Sequence, residues 1–426
     1  MSARPQTPAK TDARPWLRTV VLYLAGQTLS LFGSAVVGYA VIWYIALETG
    51  SAVRFALLAL AAVLPTGLVA LPGGVWADRY SRKLLVIGAD AAIAIITVGM
   101  AALFWLDWAS WLALAGCLLL RSALAGVHTP AEAAILPQIT PPEHLLRVNA
   151  INSSIQSASL LIAPALAAVL LVWWEMSWIL LLDVVTAAAA ITILARLAIP
   201  PPPGAGEERR HVWAEIGAGV KTVLRVAVLR RTMWLGLVVY TLIMPAAMLT
   251  PIVVVKLFGG EPWQLAAVEI AYSGAMILGG AVLAAWGGLS NRMTMMLVGA
   301  VLWGVFTLAQ GLAPGVWTYI ILWAAFGLVA PWLTTTSMTV LQEHSPPEAL
   351  GKVMGVASTV MLLAGPVGMV AIAPLMDLSP DQTPVRLVLI VTGALAVVAA
   401  GIAAVGAPPA LRPPSVKTDR VSHQEP

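Results

Sequence analysis

Charge is what this sequence has least of. Only 10% of its 426 residues are Asp, Glu, Lys or Arg and 60% are hydrophobic, against about 25% charged in an ordinary soluble domain. A chain so poor in charge cannot clothe an apolar core of this size in water, which excludes a soluble globular protein. Thiols are scarcer still. The single cysteine, Cys117, lies inside an apolar stretch, so an intrachain disulfide and a thiolate metal cluster are both excluded. No Gly-x-x-x-x-Gly-Lys-Ser/Thr segment occurs, which leaves no phosphate-cradling loop of the P-loop type and argues against an ATPase. No nucleophile–base arrangement or metal-ligand spacing stands out either. The expectation is a protein that is not an enzyme, carries no metal or cofactor and binds no nucleic acid.

What the chain has instead is long apolar runs. A helical crossing of a bilayer needs about 20 mainly apolar residues, and runs near 18–46, 53–77, 84–105, 111–131, 148–173, 176–198, 232–256, 263–287, 293–312, 316–340, 353–376 and 384–406 meet that need. The first run is too long for a signal-peptide core and no small-residue cleavage pattern follows it, so it is expected to stay as a helix. Twelve crossings put both ends on one side. Arg79, Arg82, Lys83, Arg147, Arg196, Arg292 and Lys352 fall on that side with both tails and the central linker, whereas Arg54, Lys256 and Arg386 fall opposite. Because Lys and Arg collect in cytoplasmic loops, both termini are expected in the cytoplasm.

The expected organisation is an N-terminal tail (1–17), a six-helix bundle (18–198), a linker (199–231), a second six-helix bundle (232–406) and a C-terminal tail (407–426). Within the linker, Trp213, Ile216, Val220 and Val223 recur at helical spacing. That pattern fits a helix lying in the membrane interface and fits a plain tether equally well.

The two halves resemble each other. "TPPEHLLRV" at 140–148 returns as "SPPEALGKV" at 345–353, and "IAPA" at 162 and "AGPVG" at 364 follow in turn, which implies an internal duplication. Thr140 and Ser345 are expected to cap the helices that follow, with Glu143 and Glu348 closing capping boxes.

Between the second and third runs stands "GGVWADRYSRK", in which Gly74, Asp78, Arg79, Arg82 and Lys83 are spaced G-x-x-x-D-R-x-x-R-K. This resembles the signature of the major facilitator superfamily. The resemblance implies an all-α membrane protein of twelve helices in two pseudo-symmetric six-helix halves around a cavity. A narrower similarity to the macrolide-efflux proteins of the drug:proton antiporter branch rests on "AGQTLSLFGSAV" (25–36), "DRYSRKLLVIGAD" (78–90), "LRSALAGVHTPA" (120–131) and "PPEALGKVMGVAS" (346–358). It implies a multi-pass protein of the bacterial inner membrane that exports a hydrophobic drug, a macrolide for instance, in exchange for protons. The expected partners are that small molecule, protons and the lipid bilayer, with the chain acting as a monomer. Import or export of a native metabolite, siderophore or lipid is the alternative within transport, and a membrane scaffold or sensor the alternative outside it.

Independently of any family, Asp78 is placed to meet the positive N-terminal end of the eleventh helix, forming a latch with Arg79, Arg82 and Lys83 around Gly74. Asp90, one or two turns beyond the loop, is expected to support it.

Ionisable side chains deep in a membrane are expensive and mark function by default. Arg121 sits near the middle of the fourth run, and His128 and Glu132 follow on the same helical face. Asp183 and Glu269 lie a turn or two in from the outer ends of their runs, one in each half. The resemblance places Arg121 where the family has an arginine implicated in proton transfer. Asp183, Glu269, Arg121 and Glu132 are therefore the proton-coupling candidates, the first two acids ahead of Glu132, with plain interhelical hydrogen bonding as the competing role. Gln27, Ser30 and Ser34 on the first helix and Asn152 and Gln156 on the fifth fit a polar cavity lining or bonds between helices. Met244, Met248 and Trp332 fit a soft apolar wall for a bulky drug, or ordinary packing. Trp43, Trp105, Trp108 and Trp111 fall where an interfacial belt is expected.

Overall fold

With almost no charge along the runs, every backbone N–H and C=O must be satisfied within its own segment, and helices achieve that. The computed structural model describes residues 15–199, 212–346, 349–379 and 381–405. Residues 1–14, 200–211 of the linker, Glu348 and the C-terminal tail lie outside these, as do the side chains of Asp78, Trp213 and Ile216. The described residues form α1 (Pro15–Thr49), α2 (Ala52–Arg79), α3 (Arg82–Trp105), α4 (Trp111–Ile139), α5 (Pro142–Trp173), α6 (Met176–Arg196), α7 (Val212–Arg225), α8 (Ala227–Met248), α9 (Thr250–Phe258), α10 (Pro262–Trp286), α11 (Arg292–Gly311), α12 (Val316–His344), α13 (Leu350–Met376) and α14 (Thr383–Val405). Twelve of them are long and apolar enough to cross a bilayer. The other two are α7, in the linker, and the short α9.

The expected single run at 232–256 begins earlier and breaks. α8 starts at Ala227 and ends at Met248, and α9 resumes at Thr250 after Leu249. Pro245 and Pro251 each lack an N–H, so the ladder cannot continue smoothly across them, and the Thr250 hydroxyl takes up the Ala247 carbonyl at 2.6 Å. Gly259, at φ 96°, then ends α9 in a conformation that favours glycine.

The expected caps at the duplicated loops do not form. Thr140 closes α4, and α5 begins at Pro142 with Pro141 before it and no capping side chain. Ser345 bonds back to the Leu341 carbonyl, and α13 starts after Ala349 without a side-chain cap. At α5 the prolines preset φ for the first turn and make a cap unnecessary. Side-chain caps occur elsewhere: Ser110 on the Ala113 N–H, Asn291 on the Thr294 N–H, and a reciprocal box between Glu261 and Gln264.

The chain divides into two compact units, one of Met1–Ile42 with Leu60–Glu207 and one of Trp43–Ala59 with Glu208–Pro426. In the first, α3 packs on α4 and α6, and Tyr23, Val86, Ile135 and Leu194 are buried together. α2 and α4 cross at glycines: a Cβ on Gly73 would run into the Gly126 carbonyl, and one on Gly126 would lie 2.8 Å from the Thr66 carbonyl.

In the second unit α12 packs on α10 and α11, and α11 on α14. Trp303 stacks on Phe326 at 4.8 Å, with Trp323, Tyr272 and Tyr319 joined to the same aromatic group. α7 is a helix docked on the start of α13, Gly219 lying against the Lys352 backbone and Val223 buried with Leu229, Leu341, Val353 and Ala357.

The tip of the α1–α2 hairpin also belongs here. Asp377 accepts from the Ser51 hydroxyl at 2.9 Å and from the Ala52 and Val53 N–H groups at 3.1 and 3.0 Å, and pairs with Lys256 at 2.7 Å. Trp43 is buried in this region at 4% exposure, so it is no part of an interfacial belt, whereas Trp105 and Trp108 are 56% and 71% exposed.

Candidate functional site: two polar layers in the first unit

Inside the first unit the polar side chains form two layers, and the same helices supply both. Residues seven apart on a helix lie two turns apart on one face, about 10 Å along the axis. α1 contributes Ser34 to one layer and Gln27 to the other, α3 contributes Thr97 and Asp90, and α4 contributes Arg121 and His128.

The layer in the middle of α4 is an ion pair joined by two hydroxyls. Arg121 Nη1 lies 2.8 Å from Asp183 Oδ2, and the two side chains are 8% and 0% exposed. The Thr97 hydroxyl donates to the same carboxylate oxygen at 3.1 Å and lies against the guanidinium. Ser34 donates to Asp183 Oδ1 at 2.8 Å. One cation and one carboxylate give this layer a formal charge of zero, the arrangement that makes burial of both tolerable. Beside it a cavity of about 140 Å³ is lined by Ser34, Thr66, Ile93, Leu118, Arg121 and Ser122.

The other layer lies two turns nearer the end of the bundle that carries Arg82 and Lys83. His128 Nε2 sits 3.2 Å from Asp90 Oδ1, and His128 Nδ1 sits 3.7 Å from Glu132 Oε2. Neither is a well-aligned hydrogen bond: His128 Nε2 is buried with no hydrogen-bond partner and the Nδ1 contact is too long, so these are contacts that become ion pairs when the imidazole is protonated. Ser30 donates to Asp90 Oδ1 at 3.2 Å, and the Tyr23 hydroxyl donates to the Glu132 backbone carbonyl at 2.8 Å. Asp90 therefore turns into the bundle, toward Ser30 and His128. Thr97 and Tyr23 join these layers although sequence reasoning did not name them, and His128, named on the face of Arg121 and Glu132 but not among the coupling candidates, joins them too; the signal for Thr97 is its seven-residue spacing from Asp90.

The remaining candidates are distributed as follows. Ser30 and Ser34 bond to Asp90 and Asp183, and Gln27 is buried on the same face of α1. An adjoining face of α1, with Val21, Leu24, Leu29 and Phe32, lines an apolar hollow of about 440 Å³ together with Ile151 and Ile155 of α5. Asn152 is half-buried and Gln156 exposed next to those isoleucines. In the second unit Glu269 is half-buried on α10. Met244 and Met248 face α13 at Gly365, where a Cβ would lie 3.1 Å from the Met248 sulfur. Trp332 lies 5.8 Å from Trp286.

Of the signature residues, Gly74 is half-buried and Arg79 exposed, while the Asp78 side chain lies outside the described residues. Arg82 donates to the carbonyls of Ala77 and Ala134 at 3.0 and 2.9 Å, and Lys83 to those of Ala195 and Leu197 at 2.8 and 2.7 Å. Both cations thus bind carbonyls near the C-terminal ends of α2, α4 and α6, where the helix dipole favours positive charge. On the opposite side of the membrane spans, burial pushes the Asp377 carboxyl up, but Lys256, the Val53 and Ala52 N–H groups and the Ser51 hydroxyl outweigh it and hold the group below its ordinary 3.8.

The profile of the Major Facilitator Superfamily matches residues 23–294 and 247–424. The chain belongs to that superfamily. Macrolide efflux protein A of Streptococcus pyogenes is 29% identical over 363 residues, 83% of this chain and 88% of that protein. The protein of the same name from Enterococcus faecalis is 29% identical over 322 residues, 73% of this chain and 98% of its own. Among solved structures, a POT family transporter in complex with 5-aminolevulinic acid covers 91% of this chain and 96% of its own at a TM-score of 0.68 and 13% identity. A D-xylose–proton symporter covers 92% and 97% at a TM-score of 0.63 and 13% identity. The fold is thus that of a major facilitator transporter: a multi-pass membrane protein, and not an enzyme.

Proposed function

We propose that this transporter is an exporter of the bacterial inner membrane that exchanges protons for hydrophobic drugs, macrolides among them, by alternating access, as a monomer with both termini in the cytoplasm. The observation that carries the reading is the 29% identity to macrolide efflux protein A, sustained over 83% of the chain. Exchange for protons is supported by the placement of carboxylates deep in a chain otherwise so poor in charge. A proton arriving at Asp183 cancels its charge and dissolves the pairing with Arg121, which links protonation to the packing of α3, α4 and α6. Glu269 gives the second unit a carboxylate of its own, and Glu132 adds a third.

The α1–α5 hollow falls within the roughly 300–1,000 Å³ of small-molecule sites, and its apolar wall flanked by the Asn152 and Gln156 amides suits a large amphiphile. Met244, Met248 and Trp332 are the corresponding soft surface of the second unit. Gly74, Asp78, Arg79, Arg82 and Lys83 act as the gating loop of this reading.

Accumulation of a radiolabelled macrolide in cells expressing the chain tests it. Export predicts lower accumulation than in empty cells, restored by a protonophore. Higher accumulation would indicate uptake instead, and no difference would leave another substrate or a scaffold.

A further inference from the structure

The layer formed by Asp90, His128 and Glu132 is built unlike the Arg121–Asp183 layer, and the difference lies in its charge. Two carboxylates and one imidazole sum to minus one even with the imidazole protonated, and all three are buried or nearly so. The nearby cations are engaged elsewhere: Arg121 on Asp183, Arg82 on the Ala77 and Ala134 carbonyls, and Lys83 on the end of α6. Tyr23, facing the layer from α1, gives its hydrogen to the Glu132 carbonyl.

Hydrogen-bond accounting gives an independent indication. Asp90 Oδ2 and Gln27 Oε1 are buried with no partner among the described residues, and both residues are only 4% exposed. Gln27 sits one turn from Tyr23 and one turn from Ser30, the α1 side chains that reach Glu132 and Asp90. These two orphans are acceptors and the third, His128 Nε2, is an imidazole nitrogen that donates once it carries a proton, so the layer as it stands has more acceptors than donors and lacks positive charge. A bound proton remedies both, because a protonated carboxyl is itself a donor and removes one negative charge.

We propose that Asp90, His128 and Glu132 form a proton-binding site distinct from the Arg121–Asp183 pair. Its resting form holds two protons among three side chains, one as an imidazolium N–H and one as a carboxyl O–H, for a net charge of zero. Release of the carboxyl proton leaves a net negative charge in an apolar bundle, a state that a proton from either side of the membrane, or a cationic drug, relieves. His128, between the two acids, positions the shared proton. This assignment rests on the proton-coupled reading above and names where the coupled proton resides.

The test is difference infrared spectroscopy of the full-length protein in lipid bilayers as pH is stepped, with wild type, Asp90→Asn, Glu132→Gln, His128→Gln and, for comparison, Glu269→Gln. The expected result is a protonated-carboxyl band that titrates in wild type, is lost in Asp90→Asn or Glu132→Gln, shifts its midpoint in His128→Gln and persists in Glu269→Gln. Two acids are tested separately by near-isosteric changes, and size-exclusion profiles identify any variant that fails to fold; the response of the wild-type band to added macrolide needs no variant. A titrating band untouched by all three changes, or one that responds to sodium at fixed pH, overturns the site. Drug flux in everted vesicles, with and without a pH gradient, separates the two claims. Flux that follows the gradient with an untouched band removes the site and keeps proton coupling, whereas a band assigned as expected with flux indifferent to the gradient keeps the site and removes the coupling.

Discussion

At the scale of single residues, Arg121 and Asp183 matter most because each makes the other's burial tolerable. Arg121→Gln leaves an ionised carboxylate without its cation and is expected to cost about 3–5 kcal/mol, whereas the double change Arg121→Met with Asp183→Leu recovers most of that. Thermal melting in detergent checks both, and equal losses in the single and double variants would contradict the pairing. Asp377 carries a pH dependence of definite sign. Its carboxyl is held below 3.8, so its contribution is complete above that value and is lost as pH falls through the lowered one. Asp377→Asn is therefore expected to melt lower than wild type at neutral pH, the gap closing in acid below about pH 4; a gap independent of pH would contradict the account. The sequence showed which residues share a face, as with Arg121, His128 and Glu132. It could not show what that face meets: that Ser34 reaches Asp183 and Ser30 reaches Asp90 depends on how α1 packs on α3 and α6, which no local spacing encodes.

At the scale of elements, close helix crossings set the tolerances. Gly126→Leu adds a side chain where even a Cβ would press on the Thr66 carbonyl, and overpacking of this kind costs about 1–3 kcal/mol. It should lower the melting temperature more than Gly116→Leu on the same helix, where a Cβ would meet nothing within 4 Å. Docking of α7 is tested similarly: Gly219→Leu should push it off Lys352 and speed protease cleavage of the linker, while Gly217→Ala, which a Cβ leaves unhindered, should not. The helix of the linker was one of two readings the spacing left open, and its partner on α13 was invisible. The caps proposed at Thr140 and Ser345 failed because sequence rules weigh a Ser or Thr before a proline pair as a cap, whereas the prolines start α5 unaided.

At the scale of the whole molecule, composition, run length and the duplicated words around Pro141 and Pro346 made the twelve-helix fold legible, because a bilayer imposes one solution on every backbone polar group. The grouping of Trp43–Ala59 with the later helices was not legible, since it depends on contacts far apart in sequence, Asp377 above all; the break at Leu249 lies between Pro245 and Pro251 but inside one unbroken apolar run, and run length alone passes over it. The central claim is that buried carboxylates couple drug movement to protons. Its most direct test is drug-evoked proton movement in proteoliposomes carrying wild type, Asp183→Asn or Glu269→Gln, with a macrolide and an unrelated lipophilic cation as drugs. The account predicts that wild type moves protons opposite to the macrolide and that at least one variant does not; a flat proton trace in wild type for both compounds would contradict it.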